Sequence, residues 1–366
     1  MALTLTVYVT EGRRQGALVI RSSGLPDAGQ WRSGFAVGDM DGDGSVDVLH
    51  GPPRQAPGKP RLWSWRDGRF EESSLAWPDV AYDYGAAAIG DFDGDGDNDA
   101  AFAMHTIGVR VLLRDGRSFR DAGLVPFSSR AMVVAQLDDD PALELAAIAD
   151  GPVAGSGPDN TGVATFDIDA HGSIRYRGID ASAGLLGDAI TGVDFDGDGM
   201  EDLACGSAVR GFSSLVYLRR GDGFVAGKVP VGPRDVVRAV TVLGSQDRAE
   251  LVFAATPPNG RSRLLRMRWS ATEPTVDWVD TPHVVTALAS IDGGLVALTS
   301  DGEAVRLATP SLTAGAPLAV TPGCAGQQVH AVALGPREHY TLVASFGSER
   351  AENCKRGGAI VLLASP

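Results

Sequence analysis

Short acidic loops are the segments of this chain whose residue types and spacing could do chemistry. The first reads Asp-Met-Asp-Gly-Asp-Gly-Ser-Val-Asp over residues 39–47, with carboxylates at positions 1, 3, 5 and 9. These groups converge only if the chain curls tightly, and Gly42 and Gly44 permit the curl because glycine adopts a positive φ at little cost. Converging carboxylates repel one another without a cation, and oxygen ligands on a flexible loop favour Ca²⁺ over Zn²⁺ or Mg²⁺. The loop therefore predicts a calcium site.

The same pattern recurs along the chain. The full set of predicted ligands is Asp39, Asp41, Asp43 and Asp47, then Asp91, Asp93, Asp95 and Asp99, then Asp194, Asp196, Asp198 and Asp202. A fourth loop keeps the frame with altered residues, namely Gln136, Asp138, Asp140 and Glu144. Its Pro141 stands where the other loops have glycine, so we expect about three Ca²⁺ sites and treat this one as weaker. EF-hands are excluded, because the twelfth loop position holds His50, Phe102 or Cys205 instead of glutamate.

The acidic loops are part of a longer repeat. Their last acids, Asp47, Asp99, Glu144 and Asp202, lie 52, 45 and 58 residues apart. Copies without the acidic loop continue at the same period, with apolar runs at Glu250, Leu295 and Tyr340. Each unit reads as a short apolar strand, a loop, a second apolar strand and one or two further strands. Four strands at this period predict an all-β fold, a single β-propeller of seven four-stranded blades, with six or eight blades as alternatives.

The ends of the chain indicate how such a ring closes. The last unit ends at its third strand, 359–364, while apolar segments near 5–9 and 17–21 precede the first full unit. We expect the N-terminal strands of residues 1–22 to complete the last blade, which protects its edge. The predicted single domain of residues 1–366 then contains calcium-loop blades over 23–206 and degenerate blades over 207–366.

Composition narrows the classes of partner. Asp and Glu number 46 against 32 Lys and Arg, a net charge of −14, which argues against nucleic acid and anionic membranes. No apolar stretch approaches the ~20 residues of a membrane span, and the N-terminus lacks the features of a signal peptide. We expect a monomer. Cys205 is predicted to be buried, whereas Cys324 and Cys354 could pair in an oxidising compartment, which the sequence leaves open.

The run Asp-x-Asp-Gly-Asp-Gly between apolar strands resembles the FG-GAP/VCBS repeat, strongly over residues 36–206 and by frame alone over 207–366. Integrin α-subunit head domains and many secreted bacterial propellers carry related repeats. The resemblance implies a Ca²⁺-bearing propeller in an extracellular or periplasmic setting, the signal peptide having been removed, with a cytoplasmic location as the alternative. It implies no single activity, because the family includes adhesion domains, lectins and polysaccharide lyases. No aromatic-His motif recurs in each unit, which disfavours a multivalent lectin.

A ligand is expected on the face opposite the acidic loops, where loops lead into strand 1 and out of strand 2. The ligand-binding candidates in these loops are Trp31, Arg32, Arg54, Arg130, Arg210, Arg234, His283 and His330. The catalytic candidates there are His50, Tyr82, Tyr84 and His105. Taken singly, each residue is as readily explained by hydrogen bonding or packing, but their convergence from several blades suits an anionic ligand.

Three functions compete at this point. The first is a calcium-stabilised module that binds a glycan, a protein or a small anionic ligand. The second is a lyase-type enzyme acting on an anionic saccharide, with Tyr82 or Tyr84 and His105 as acid and base for β-elimination. It requires His50, His105 and the Tyr82–Tyr84 loop to face one pocket. The third is a purely structural propeller. The sequence contains no G-x-S-x-G, H-E-x-x-H or phosphate-binding glycine loop, so no ordinary hydrolase is indicated.

Overall fold

The fold is an all-β ring, seen in a computed structural model of the chain. The structure describes residues 18–21, 23–54, 56, 58–138, 140–151, 160–179, 184–244, 249–269, 274–291, 294–334, 341–347, 354 and 358–364. All regular secondary structure in these ranges is β-strand. Within them, no helix is present that is long and apolar enough to cross a membrane.

The strands form seven antiparallel sheets, one per blade, which confirms the predicted seven-bladed propeller. Blade 1 consists of β2 (Ala36–Gly38), β3 (Asp47–His50), β4 (Arg61–Arg66) and β5 (Arg69–Glu72). Blade 2 consists of β6 (Gly85–Gly90), β7 (Asp99–Met104), β8 (Gly108–Asp115) and β9 (Ser118–Val125). Blade 3 consists of β10 (Ser129–Ala135), β11 (Glu144–Ala149), β12 (Val163–Ile168) and β13 (Ile174–Gly178). Blades 4 and 5 consist of β14 (Gly187–Val193), β15 (Asp202–Ser207), β16 (Leu215–Arg220) and β17 (Gly223–Lys228); and β18 (Val236–Leu243), β19 (Glu250–Thr256), β20 (Arg263–Trp269) and β21 (Pro274–Asp280).

The last two blades depart slightly from this plan. Blade 6 consists of β22 (Val285–Ile291), β23 (Gly294–Thr299) and β24 (Glu303–Ala308), whose outer edge pairs with two short strands, β25 (Thr313–Ala314) and β26 (Leu318–Ala319). Blade 7 consists of β27 (Ala325–Val332), β28 (Thr341–Gly347) and β29 (Ala359–Ala364), with β1 (Val19–Arg21) as its outer strand.

Closure of the ring joins the two ends of the chain, as predicted. β1 runs antiparallel to β29, with Val19 opposite Ala364 and Arg21 opposite Leu362. The apolar segment near residues 5–9, also expected to take part, lies outside the described residues. Because β1 covers the outer edge of β29, the last blade has four strands although its own repeat supplies three.

The position of each strand in its blade explains its sequence. The second strand lies between two others and is covered on both faces by adjacent blades, so every residue of β7 and of β11 is buried. The fourth strand faces solvent, and β13 is almost wholly exposed. The core lies between blades, as where Phe92 and Phe166 share one apolar cluster. Burying one such side chain contributes about 1.5–3 kcal/mol.

The antiparallel order also separates the two ends of the ring. Every loop from a first to a second strand lies at one end, which carries the acidic loops and is called the acidic face below. Loops leading into the first strands and out of the second strands lie at the other end, called the opposite face. A channel runs between the seven first strands, with a cavity of about 790 Å³ lined largely by small residues such as Ala86 and Thr191.

Candidate functional site

Each acidic loop brings carboxylates close together. In three-residue sets, one carboxylate oxygen from each residue lies within 4.8 Å of the others. The sets are Asp39, Asp41 and Asp43; Asp91, Asp93 and Asp99; Asp138, Asp140 and Glu144; and Asp194, Asp196 and Asp202. The degenerate fourth loop therefore also brings three carboxylates together. All four sets could hold a metal ion.

Backbone geometry explains the convergence. Gly42 and Gly44 have φ values of +75° and +82°, as the sequence predicts for a tight curl. The backbone N–H groups of these two glycines donate hydrogen bonds to the first acid, Asp39, at 2.8 and 2.9 Å. The N–H of Met40 donates to Asp47 at 2.7 Å. The curl thus positions the acids through main-chain hydrogen bonds.

The last acid of each loop is buried. Asp47, Asp99 and Asp202 are fully buried and Glu144 almost fully. Burial raises the pKa of Asp47 and Asp202 to about 6 and that of Asp99 and Glu144 to about 7. The N–H groups of Phe92 and Arg114 donate to the two oxygens of Asp99 at 2.9 and 2.7 Å, which only partly offsets that rise. Burial therefore disfavours the charged carboxylates, and a bound cation would restore them.

The donor set fits a hard cation. The Oδ1 atoms of Asp41, Asp91, Asp93 and Asp196 are buried and have no hydrogen-bond partner among the residues described. A buried carboxylate oxygen without a partner is costly, whereas coordination to a cation satisfies it. Arginines neutralise the same loops from outside: Arg66 lies 3.4 Å from both Asp41 and Asp43. The residues present thus match an oxygen-liganded divalent cation.

A second polar assembly lies on the opposite face, near blades 1 to 4. Its centre is Asp150, whose side chain is 1% exposed. His105 Nδ1 lies 2.7 Å from Asp150 Oδ2, and Arg130 Nε lies 2.7 Å from the same oxygen. Arg130 also forms an ion pair with Asp188 at 2.7 Å. Burial alone would raise the pKa of Asp150, but the hydrogen bonds from His105 and Ser128 and the charge of Arg130 hold it below its usual value.

Tyr84 lies beside this network. Its ring centroid is 5.2 Å from that of His105, and the guanidinium carbons of Arg32 and Arg54 each lie 5.8 Å from it. Burial raises the pKa of the Tyr84 hydroxyl. Arg32, Arg54, Arg130, Tyr84 and His105, all sequence candidates, are therefore grouped on the opposite face.

The other sequence candidates lie elsewhere. His50 is fully buried, and burial lowers its pKa to about 4. Trp31 is 1% exposed and packs edge-on against His50 and Trp63. Tyr82 is half-buried and packs edge-on against Phe102. Burial leaves His50 and Trp31 no surface for a ligand, because both complete the core of blade 1.

The candidates from later blades are dispersed. Arg210 and Arg234 are exposed in loops, and neither lines the cavity. His283 lies 3.6 Å from Glu303. His330 does line the cavity, yet burial lowers its pKa to about 4 and its Nε2 lies 2.6 Å from Gln328. The pocket shared by His50, His105 and the Tyr82–Tyr84 loop, which the enzyme hypothesis requires, is not formed by the described residues.

Asp150, Asp188 and Arg238 escaped the sequence analysis although they are part of the polar surroundings of the channel. Asp188 and Arg238 line the cavity, and Asp150 supports Arg130 from behind. The sequence does contain a signal for Asp188. Asp188 and the candidate Arg130 each lie six residues before the first position of an acidic loop, so an alignment of the repeats places both at the same point of a first strand.

Two of the three cysteines are joined. Cys324 and Cys354 form a disulfide with a Cα–Cα distance of 4.7 Å, linking the loop before β27 to the loop between β28 and β29. Cys205 is buried, as expected. Blade 7 is thus fastened by a covalent bond as well as by the pairing of β1 with β29.

Comparison with known proteins supports the fold alone. No protein-family model and no curated protein matches the chain. Among solved structures, it is similar to crystal structures of BBS1N in complex with ARL6DN, one soaked with lead and one with mercury. Both give a TM-score of 0.55, at 13% and 12% identity, and cover 96% and 95% of this chain and 98% and 97% of the other. Such identities carry no information on activity.

Proposed function

We propose that this chain is a calcium-stabilised β-propeller that serves as an extracytoplasmic binding module of the FG-GAP/VCBS type. The observation that carries the proposal is the set of buried carboxylate oxygens without partners in the acidic loops, which a Ca²⁺ ion would satisfy. The repeat pattern of residues 36–206 supports the family. The Cys324–Cys354 disulfide supports an oxidising compartment.

The binding surface in this proposal is the opposite face. There Arg32, Arg54 and Arg130 surround Tyr84 in a protein whose net charge is −14. Arginine clusters of this kind recognise carboxylate and phosphate groups on glycans, proteins and small molecules. The structural neighbour BBS1N, which is in complex with ARL6DN, is consistent with a propeller that binds a partner protein. The acidic loops then provide stability and the opposite face provides recognition.

A lyase-type enzyme is retained as the second candidate because one observation favours it. The Tyr84 and His105 rings lie 5.2 Å apart beside two arginines, an arrangement that could supply an acid, a base and charge neutralisation. The full burial of His50 weakens this candidate, because fewer groups remain for catalysis. Incubation with acidic polysaccharides and measurement of unsaturated products by ultraviolet absorbance would decide for it.

The stabilising role of calcium is tested by metal analysis combined with thermal melting. We expect three or four Ca²⁺ ions per chain. At 100 times Kd, each ion stabilises the fold by ~2.7 kcal/mol, so three sites contribute ~8 kcal/mol. An unfolding entropy of ~2.1 cal/mol/K per residue gives ~0.8 kcal/mol/K for the chain, so EDTA should lower Tm by about 10 °C. Purified protein without metal, or with a Tm unaffected by EDTA, would overturn the calcium assignment.

A further inference from the structure

The first strands of five blades share an irregularity at the same point. The register of β10 with β11 shifts between Ser129 and Ala131, which leaves Arg130 as an extra residue. Shifts of one residue also occur near the start of β14, β22 and β27. In β18 the shift spans Arg238 and Ala239, of which Arg238 is exposed and Ala239 is buried. A β-bulge of this kind bends the strand and redirects a side chain, and it is frequent beside functional sites. Because the shift recurs in five blades at one level of the ring, it is a regular feature of the channel wall.

The redirected residues are all polar, and all line the channel. They are Arg130, Asp188, Arg238, Thr286 and Gln327, called the bulge ring below. In blade 1 the equivalent residue is Ser33, which also lines the cavity and has a φ of +70°. Residues further along the channel wall are small, such as Ala131, Ala189 and Ala289. The bulge ring therefore forms a band of polar side chains at one level of the channel, while uncharged polar groups such as Thr191 line the wall elsewhere.

The charge of this band is small and positive. Within the bulge ring, the cations are Arg130 and Arg238 and the single carboxylate is that of Asp188. Two cations against one anion leave one positive charge. His330 adds none near neutral pH, because burial lowers its pKa to about 4. A single carboxylate balances this band, whereas a dianion such as sulfate would overcompensate it.

Arg238 is the group available to bind such a carboxylate. Arg130 lies between Asp150 and Asp188, which orients it but also satisfies its charge. Arg238 is exposed in the channel, and its side chain has no ion pair or hydrogen bond within the described part of the chain. A guanidinium binds a carboxylate through two parallel hydrogen bonds. Thr286 and Gln327, in the next two blades, already donate to backbone carbonyl groups of their own blades. Their side-chain oxygens can accept hydrogen bonds from O–H or N–H groups of the same ligand.

We infer that the bulge ring is a binding site for a ligand that carries one carboxylate flanked by neutral hydrogen-bonding groups. Arg238 binds the carboxylate, and Thr286 and Gln327 bind the hydroxyl or amide groups beside it. The cavity of about 790 Å³ admits a small molecule or the end of a chain. This inference rests on the proposed function, because it assigns the ligand class of the same opposite face.

The test is isothermal titration of the calcium-saturated protein with two probes that share the carboxylate. Gluconate represents a free hydroxylated acid, and N-acetyl-Gly-Gly represents the carboxyl end of a peptide. Gluconamide and N-acetyl-Gly-Gly-amide are the matched neutral ligands. We expect one of the acids to bind at millimolar or lower Kd and its amide to bind at least about tenfold more weakly. The acid that binds identifies the source of the carboxylate.

The matched variants are Arg238→Gln and Arg261→Gln. Arg261 is an exposed arginine on a loop of the same blade and face, and it does not line the cavity. Arg238→Gln should weaken binding at least about tenfold, while Arg261→Gln should not change it. If Arg238→Gln fails to fold, Thr286→Val provides the second variant, with a smaller expected loss.

Three results would overturn the inference: no binding of either acid below 10 mM, equal binding of acids and amides, or equal affinity in the two arginine variants. The test is independent of the calcium assignment, which is measured without a ligand. Stabilisation by calcium together with failure of both probes would remove the bulge-ring site and leave the calcium-stabilised module. Loss of the calcium effect with intact binding would do the reverse.

Discussion

The buried last acids of the loops predict an unusual pH dependence for the metal-free protein. Burial places the pKa of Asp47, Asp99, Glu144 and Asp202 at about 6 to 7, against 3.8 for a free aspartate and 4.5 for a free glutamate. The folded state therefore binds more protons than the unfolded state between pH 4 and pH 7. Stability must fall as pH rises through this window, because the free energy of unfolding decreases wherever the folded state holds the extra protons.

The magnitude follows from the same pKa values. For Asp99, the interval from 3.8 to about 7 corresponds to ~4 kcal/mol, and each of the other three acids corresponds to ~3 kcal/mol. Relaxation around each new charge recovers part of this cost, and allowing for half leaves ~6 kcal/mol. Roughly three quarters of this loss falls between pH 4.5 and pH 7.5, so at ~0.8 kcal/mol/K the Tm of the metal-free protein should fall by about 6 °C over that range.

Calcium should abolish or reverse this trend. A Ca²⁺ ion binds the deprotonated carboxylates, so its affinity rises with pH as protons cease to compete. Tm should be measured by calorimetry from pH 4.5 to pH 7.5, once in EDTA and once in excess calcium. In EDTA, Glu144→Gln should remove about a quarter of the fall, because the amide oxygen can still accept the hydrogen bond from Leu137. Asp222→Asn, at an exposed turn, should leave the slope unchanged.

The reasoning would be refuted by a metal-free protein that is equally or more stable at pH 7.5 than at pH 4.5. It would also be refuted if Glu144→Gln and Asp222→Asn had the same effect on the slope. Either outcome would mean that water or local rearrangement already solvates these carboxylates, and the unpartnered oxygens of the loops would then not require a cation.

Two further predictions concern the same elements. The disulfide closes a loop across 30 residues. The double variant Cys324→Ser, Cys354→Ser should therefore lower the free energy of unfolding by ~3.5 kcal/mol and Tm by ~4 °C under non-reducing conditions. An unchanged Tm would show that the pairing of β1 alone fastens blade 7. Asp93→Ala should remove one calcium ion per chain, as measured by metal analysis, and lower Tm by ~3 °C in calcium. Asp138→Ala should lower Tm less, because its loop has Gln136 and Pro141 where the others have Asp and Gly. Equal losses in the two variants would rank all four loops as equivalent.

Much of the fold could be predicted from the sequence because its signals are local and repeated. Spacings of 45 to 58 residues give the number of blades, and the paired glycines of each acidic loop give the curl that brings the acids together. Closure also followed, since the final repeat lacks one strand and the chain begins with a spare one. The fourth loop also brings Asp138, Asp140 and Glu144 together, and its weaker affinity for calcium stays a prediction.

The opposite face was harder to predict because side-chain burial depends on neighbouring blades. His50 and Trp31 look like surface groups at strand ends, yet they form an edge-on pair in the core of blade 1. Arg238 and Asp188 lie within apolar strands, and the pattern of apolar and polar residues there does not show that the strand contains a bulge. A bulge adds one residue to one strand and leaves the sequence pattern almost unchanged, so register shifts of this kind become visible only once the strands are paired.

The pairing of β1 with β29 has a consequence for synthesis. Val19 and its partner Ala364 lie 345 residues apart in the chain, so Val19 leaves the ribosome long before Ala364 does. β1 must stay unpaired, and shielded from other chains, until nearly the whole ring has been built. Joining partners so distant in sequence is slow, and an arc of six finished blades exposes strand edges at both ends during that interval. Cleavage or fusion just before Val19 should therefore affect the yield of soluble protein more than the stability of rings that have already closed.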